Sequence, residues 1–280
     1  MRKIKAQDIH NLAKKLIREA SFILPEEVRS KLDELNKKEQ NTLSKKALSE
    51  ITENYKIAEQ ESLPLCQDTG CACFFIKMGH QVELEEVLEI TLNKATSEAY
   101  AEYYLRKSIC EKPLFKRVNT GDNTPCFVHI EQVEGDQFEI VFLPKGGGAE
   151  NKSRFTMLAP SKGVQGVMEF IRETLELAGG SACPPFLVGV GVGGMFDTVG
   201  SLAKKAIIRG IGTDNLDSDF AKLEQDIKKD LSSLKMGAMG LGGNETILDL
   251  NIEYSPCHIA SLPVAVNIQC HSARISKGSL

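Results

Sequence analysis

Gly180-Ser-Ala-Cys-Pro-Pro-Phe-Leu-Val-Gly-Val-Gly-Val-Gly-Gly194 is the stretch that decides how this chain folds. Phe186–Val192 reads as a short buried strand running into the paired glycines 193 and 194. Ahead of it, Pro184 and Pro185 remove two backbone donors and fix the chain direction behind Cys183. Earlier still, residues 161–178 have helical spacing, with Ser161 placed as N-cap and Gly179-Gly180 closing the helix. Beyond the strand, helical patterns return at about 197–209, with Asp197 as the expected cap, and at about 217–234. Further strands are expected at Thr246–Glu253, where apolar and polar residues alternate as in a half-buried strand, and at Leu262–Ile268.

Toward the N-terminus the pattern becomes mostly helical, over 7–24, about 26–37, 42–60 and 82–109. In the third of these, Leu43, Ala47, Leu48, Ile51, Tyr55 and Ala58 form one stripe. Cys126–Val133 and Phe138–Leu143 flank Glu134-Gly-Asp-Gln137 and read as a hairpin. Strand and helix runs are only partly interleaved, which predicts an α+β fold, with an N-terminal helical part packed on a mixed β-sheet region flanked by helices. No repeat or linker interrupts the chain, so 1–280 is expected as one domain. Its helical part would cover about 1–110, and its sheet-containing part about 111–280.

The 280 residues include 34 Lys and Arg against 38 Asp and Glu, a net charge of −4. A general nucleic-acid binder would show a basic excess, so nucleic acid is not an expected partner. The longest apolar stretch, Pro184–Phe196, falls short of the roughly 20 residues needed to span a bilayer. The N-terminus places Ile9, Leu12, Ala13, Leu16 and Ile17 at helical spacing rather than in a signal-peptide core. No membrane partner is expected, and the expected location is a reducing cytoplasm. In that compartment eight cysteines with no C-x-x-C pair point to metal, catalysis or core packing rather than to disulfides.

Chemistry-bearing residues crowd into five loops. Pro64-Leu-Cys-Gln-Asp-Thr-Gly70 sets a thiol, an amide, a carboxylate and a hydroxyl side by side, although a capped turn would also explain Asp68 and Thr69. Asn119-Thr-Gly-Asp-Asn-Thr-Pro125 follows a cationic stretch holding Arg106, Lys107, Lys112, Lys116 and Arg117. Such a stretch is either a solvated face or an anion site with Arg as a bidentate donor. Lys145-Gly-Gly-Gly148 lets backbone N–H groups approach a ligand, without the Walker spacing of a nucleotide loop. Gly180–Pro185 holds Cys183 rigidly. Cys257-His258 and Cys270-His271-Ser-Ala-Arg274 bracket the last expected strand. Three thiolates on rigid loops would leave one iron of a [4Fe–4S] cluster open to a substrate oxygen, as a Lewis acid. The residues alone do not choose three cysteines from eight.

Leu65-Cys-Gln-Asp-Thr-Gly70, Asn119–Pro125, Lys145–Gly148, Ala182-Cys-Pro-Pro185 and Leu262-Pro-Val…Cys270…Arg274, in that order, resemble the iron–sulfur hydro-lyases, the class I fumarate hydratases and L(+)-tartrate dehydratases. The likeness is to the cluster-binding part of the single-chain enzymes, which is the separate α subunit of two-subunit ones. The resemblance implies a [4Fe–4S] cluster on Cys66, Cys183 and Cys270. It implies catalytic roles for Asp68 and His258, and substrate contacts from Gln67, Arg106 and Gly148. It further implies a small dicarboxylate substrate and a β subunit supplied as a separate chain, in an α2β2-type assembly. The single-chain enzymes continue into a further domain after the third cysteine motif, whereas this sequence stops at Leu280, so the base is expected from the β subunit. The implied reaction is reversible hydration of fumarate to (S)-malate, with dehydration of L(+)-tartrate to oxaloacetate as the alternative. A reading of another class, an electron-transfer iron–sulfur protein, would need a fourth thiolate. The C-x4-C-x-C run from Cys66 to Cys73 hints at it but departs from ferredoxin spacing.

Overall fold

The computed structural model describes residues 1–280. In chain order the elements are β1 (Arg2–Ile4), α1 (Ala6–Phe22), α2 (Glu26–Lys38), α3 (Thr42–Glu61), β2 (Cys71–Gly79), β3 (Val82–Leu84), α4 (Leu88–Glu102), β4 (Phe127–Val133), β5 (Phe138–Lys145), α5 (Gly147–Glu150), β6 (Arg154–Leu158), α6 (Gly163–Ala178), β7 (Phe186–Gly193), α7 (Val199–Ile208), α8 (Ser218–Leu231), β8 (Ile247–Ser255), β9 (Leu262–Gln269) and β10 (Ser276–Ser279). The fold is α+β, in two compact units that the chain enters alternately. The first comprises Met1–Pro25, Tyr55–Gly147 and Arg274–Leu280, and the second Glu26–Asn54 and Gly148–Ala273.

The first unit is built on a four-stranded sheet of order β10-β5-β2-β4. β2 is central because Ala72 to Ile76 are buried on both faces, a run only an inner strand can satisfy. Helices α1 and α4 cover the sheet. Ile9, Ala13, Leu16, Ile17 and Ala20 of α1 share one core with Phe74 and Ile76 of β2 and Phe138, Ile140 and Phe142 of β5. Each such large side chain, fully buried, contributes about 1.5–3 kcal/mol.

Two expectations change here. β4 and β5 do not pair as a hairpin; β2 lies between them, parallel to β4 and antiparallel to β5. The Glu134–Gln137 connection arches over the end of β2, where Gly135 O accepts from Gln81 N and Gln137 O from Gly79 N. A Cβ on Gly79 would lie 2.3 Å from Gly135 O, so only glycine fits beneath the arch. The helix expected over 82–109 is shorter. Val82–Leu84 form β3, parallel to β1, and α4 ends at Glu102, with Tyr104 left-handed (φ 54°) and Leu105 N donating to Tyr100 O.

The second unit has a sheet of order β6-β9-β7-β8, with β7 parallel to β8 and antiparallel to β9. Its central strand explains the Val-Gly alternation. Val188 and Val190 enter the core with Phe170, Ile171 and Leu175 of α6 and Ile227 and Leu231 of α8. The glycines face α7, where a Cβ on Gly189 would lie 2.1 Å from Ala203 O and one on Gly191 2.3 Å from Val199 O. β8 is buried from Ile247 to Ile252 rather than alternating, because helices cover both faces. Asp217 caps α8 through Asp219 N and Phe220 N. Ser161 lies in a 3-10 turn ahead of α6, and Thr198, not Asp197, is the residue before α7.

Candidate active site

In the first unit, Cys66, Gln67 and Asp68 sit on the loop between α3 and β2, with Cys66 and Asp68 half-buried and Gln67 exposed. Their backbone is clamped at three successive carbonyls. Arg274 Nη2 donates to Asp68 O at 2.9 Å, the single Tyr100 Oη proton is shared between Thr69 O at 3.1 Å and Gly70 O at 3.0 Å, and Asn123 Nδ2 also donates to Gly70 O at 3.2 Å. Burial pushes the Tyr100 phenol up, which keeps it a neutral donor. Gly70 (φ 79°) packs against the Lys145 backbone, where a Cβ would lie 2.9 Å from the carbonyl carbon. The Asp68 carboxylate is held by two backbone donors, Gly70 N to Oδ1 at 3.1 Å and Gly147 N to Oδ2 at 2.8 Å. Thr69 Oγ1 donates to Arg106 O at 2.7 Å, so the cationic stretch starts beside this loop with the Arg106 side chain exposed.

In the second unit, Cys183 and Cys270 are brought together. Cys183 follows a 3-10 turn in a left-handed conformation (φ 57°, ψ 67°), a strain of about 1–2 kcal/mol for a non-glycine residue. Cys270 lies one residue past the end of β9. His271 N donates to Cys183 O at 3.1 Å, and His271 Nδ1 lies 3.2 Å from the same oxygen. Both thiols are half-buried. Gly148 opens the second chain segment of the same unit, exposed, and a Cβ there would lie 3.7 Å from Ser181 O.

A third element of this site escaped the sequence reading. Gly237–Gly243 forms a loop under Cys183, with Met239 N donating to Pro184 O at 2.9 Å and a Cβ on Gly180 falling 2.9 Å from Met239 O. Buried Glu39 and Ser44 pin the loop through Asn244 N and Ala238 N. Burial disfavours the Glu39 carboxylate. The N–H groups of Asn41, Asn244 and Gln40, with the Ser44 hydroxyl, outweigh it and hold the carboxyl below its usual range. Four glycines within seven residues were the available signal.

His258 is not brought to the two cysteines of its unit. It lies exposed in the β8–β9 turn, where its Nδ1 accepts from Ala260 N. Leu187 pairs with Gln269 at one end of the sheet, and Val192 with Val264 near the other. The eight residues of β9, about 23 Å of extended strand, therefore lie between His258 and Cys270. In neither unit do three His, Cys, Asp or Glu side chains converge to hold one metal ion. The remaining cysteines are differently placed. Cys73 and Cys126 are buried, and burial pushes the Cys126 thiol up to about 11, which disfavours a thiolate. Cys71 lies within β2, Cys110 forms an isolated bridge with Asn119, and exposed Cys257 faces Ser261 O.

Fold and loops together define an α+β protein that presents half-buried thiols on preorganised, glycine-rich turns. The family model described as fumarate hydratase (fumerase) matches residues 10–279, and the chain belongs to that family. Among curated proteins, a Methanocaldococcus jannaschii chain provisionally named L(+)-tartrate dehydratase subunit alpha is 43% identical over 273 residues, 95% of each chain. L(+)-tartrate dehydratase subunit alpha of Escherichia coli K12 is 34% identical over 255 residues, 90% of this chain and 84% of that one. The protein is thus a member of a hydro-lyase family, and membership implies an iron–sulfur cofactor. The thiols expected as its ligands have the chemistry such a group needs. Cys66, Cys183 and Cys270 all lie outside strands, half-buried, on backbone fixed by hydrogen bonds, and buried Arg274 carries N–H groups without acceptors beside the Cys66 loop. No helix is long and apolar enough to cross a membrane.

Proposed function

We propose that this chain is the cluster-carrying α-type subunit of a hydro-lyase that reversibly hydrates fumarate to (S)-malate, with Cys66, Cys183 and Cys270 holding a [4Fe–4S] cluster. The observation that carries the reading is the joining of the Cys183 and Cys270 loops, distant in sequence, through His271 N–H and Cys183 O. When bound, the cluster supplies Lewis acidity that weakens the C–OH bond of a 2-hydroxy acid.

The chain's own groups bind and orient. Asp68, fixed by Gly70 N and Gly147 N, presents a carboxylate of set direction to the substrate hydroxyl or carboxyl. Arg106, exposed beside Thr69, pairs with a substrate carboxylate, and Gln67 and Gly148 contribute further substrate contacts. The names of the relatives, subunit alpha of L(+)-tartrate dehydratase, support a separate β-type partner chain and L(+)-tartrate as the second substrate reading. In this proposal the partner supplies the base, and tartrate would be dehydrated to oxaloacetate.

His258 serves the site from a second copy in an α2β2-type assembly, because about 23 Å of strand separates it from Cys270 in its own chain. Its end of the sheet carries exposed Phe155, Met157, Met195, Phe196 and Ile259, apolar surface of the kind a second subunit covers.

The test is an anaerobic preparation with the β-type partner, assayed on fumarate, (S)-malate and L(+)-tartrate. Turnover of malate and fumarate is expected, and activity on tartrate alone selects the second reading. C66S, C183S and C270S should each abolish cluster absorbance, whereas C110S and C126S should not. Loss on C71S and C73S with C183S unaffected would overturn the ligand set. Mixing H258A chains with D68N chains should restore activity that neither variant shows alone.

A further inference from the structure

Arg274 is the largest fully buried side chain of the protein, 2% exposed. A guanidinium is charged at every working pH and carries five N–H donors. One terminal nitrogen, Nη2, is committed to Asp68 O at 2.9 Å. Nε and Nη1, both shielded from solvent, have no acceptor. The neighbouring carboxylate does not fill them. Asp68 Oδ1 and Oδ2 accept from Gly70 N and Gly147 N, and the contact from Arg274 goes to the Asp68 backbone. Gly146 lies between the two groups, where a Cβ would stand 3.2 Å from Asp68 Oδ2 and 3.9 Å from Nη2.

A buried cation with open donors is costly, and folds keep one where an acceptor completes it. A negatively charged acceptor matches a guanidinium best. It would sit beside the Cys66–Gly70 loop, which the third nitrogen already holds. A group built into the protein on Cys66 meets both conditions. Three thiolates and the sulfides of an oxidised cluster carry a net negative charge, and hydrogen bonds to sulfur together with local charge set the potential of such a group.

We propose that Arg274 is a positioning residue for the iron–sulfur group at Cys66, donating N–H hydrogen bonds and positive charge to its sulfurs while its third nitrogen clamps the loop that carries the thiolate. This rests on the cofactor reading above and goes beyond its ligand set. It assigns the buried charge a purpose that the three cysteines do not explain. Removing the charge makes the cluster harder to reduce and looser toward chelators. In the iron-free chain the same removal relieves an unfilled charge.

The test compares wild type, R274Q and R274K as full-length chains prepared anaerobically with the β-type partner and loaded with iron and sulfide. The readouts are iron and sulfide content, midpoint potential by titration, the rate of iron loss to a chelator, and the melting temperature of the iron-free chain. Glutamine keeps one N–H for Asp68 O but no charge; lysine keeps the charge but not the planar fork. The expected result is iron uptake by R274Q with a more negative midpoint, severalfold faster iron loss, and an iron-free melting temperature no lower than wild type. R274K should fall between the two, and carries the test if R274Q does not accumulate. A midpoint and chelation rate unchanged in R274Q overturns the proposal. So does an iron-free chain that melts lower by the same shift as the loaded one, since Arg274 would then be only a structural clamp. Wild type that takes up no iron overturns the cofactor reading and this inference with it. Wild type that loads normally, with variants indistinguishable from it, overturns this inference alone.

Discussion

The Cys66 loop and the Cys183–Cys270 turn are both rigid, but by different means. At Cys66 the backbone is held by side chains arriving from elsewhere in the sequence: Arg274, Tyr100 and Asn123 each donate to one or two of its carbonyls. At Cys183 it is held by backbone against backbone: a left-handed residue, His271 N on Cys183 O, Met239 N on Pro184 O, and the close approach of Gly180 to Gly240. The first arrangement is vulnerable to loss of a polar atom. The second is vulnerable to gain of a methyl group.

That contrast is broken most directly at Gly240. Its φ is 75°, and a Cβ there would lie 2.6 Å from Gly180 Cα. G240A combines left-handed strain with a backbone collision, so a loss of about 3 kcal/mol is expected in denaturant unfolding. Cluster absorbance should fall with it, because the displaced strand of loop supports Cys183. An unchanged unfolding midpoint would show that the turn is not sprung against Gly180. Tyr100→Phe probes the other arrangement. It adds no atom and leaves Thr69 O without its donor, while Asn123 still serves Gly70 O. A loss of about 1–3 kcal/mol is expected, below that of G240A.

The sequence exposes the two regions unequally. Helices α1, α2 and α3 and strands β7 and β9 follow from local periodicity, and their bounds agree with it within one or two residues. Pairing does not follow from periodicity. Nothing in Cys126–Leu143 says that β2 will insert between β4 and β5, because that choice is made by the fully buried run Ala72–Ile76 far upstream. β10, only four residues long, has no signal of its own and exists because β5 offers an edge. Among the site residues, the thiols and Asp68 stand in loops crowded enough to be noticed, but choosing three cysteines took the family resemblance. Arg274 closes the last of those loops, and nothing in the sequence marks its side chain as buried. Its burial is decided by the packing of the first unit, and no spacing rule carries that information. His258 illustrates the opposite limit: its nearness in sequence to Cys270 conceals the length of a whole strand.

A smaller effect sharpens the comparison where polar anchoring meets substrate binding. Thr69→Val is nearly isosteric and removes only the hydroxyl that donates to Arg106 O. About 1 kcal/mol of stability is at stake. The cationic stretch loses its anchor, so under the proposed pairing of Arg106 with a substrate carboxylate KM should rise severalfold with kcat nearly unchanged, the signature of weakened uniform binding. A fall in kcat at constant KM would mean that Thr69 acts on the Cys66 loop rather than through Arg106.

The mildest test uses pH. Glu39 is the charged side-chain anchor of the otherwise mostly backbone-held turn, joined to Gln40 N, Asn41 N, Asn244 N and Ser44 Oγ. Burial opposes its charge and these donors override it, so its folded pKa lies below the ordinary value. A depressed carboxyl binds protons more readily in the unfolded chain. Its contribution is therefore complete well above the unfolded value of about 4.3 and drains away as pH falls through the lower folded value. In E39Q no proton can be gained, so the stability difference between wild type and variant should be constant near neutrality and shrink steadily below about pH 4.3. Urea unfolding of the two chains across pH 3 to 7 measures that difference. A gap that stays constant into acid would mean that Glu39 holds the Gly237–Gly243 loop by shape rather than by charge, and of the two cysteine regions only the Cys66 loop, clamped by Arg274, would then depend on a charged anchor.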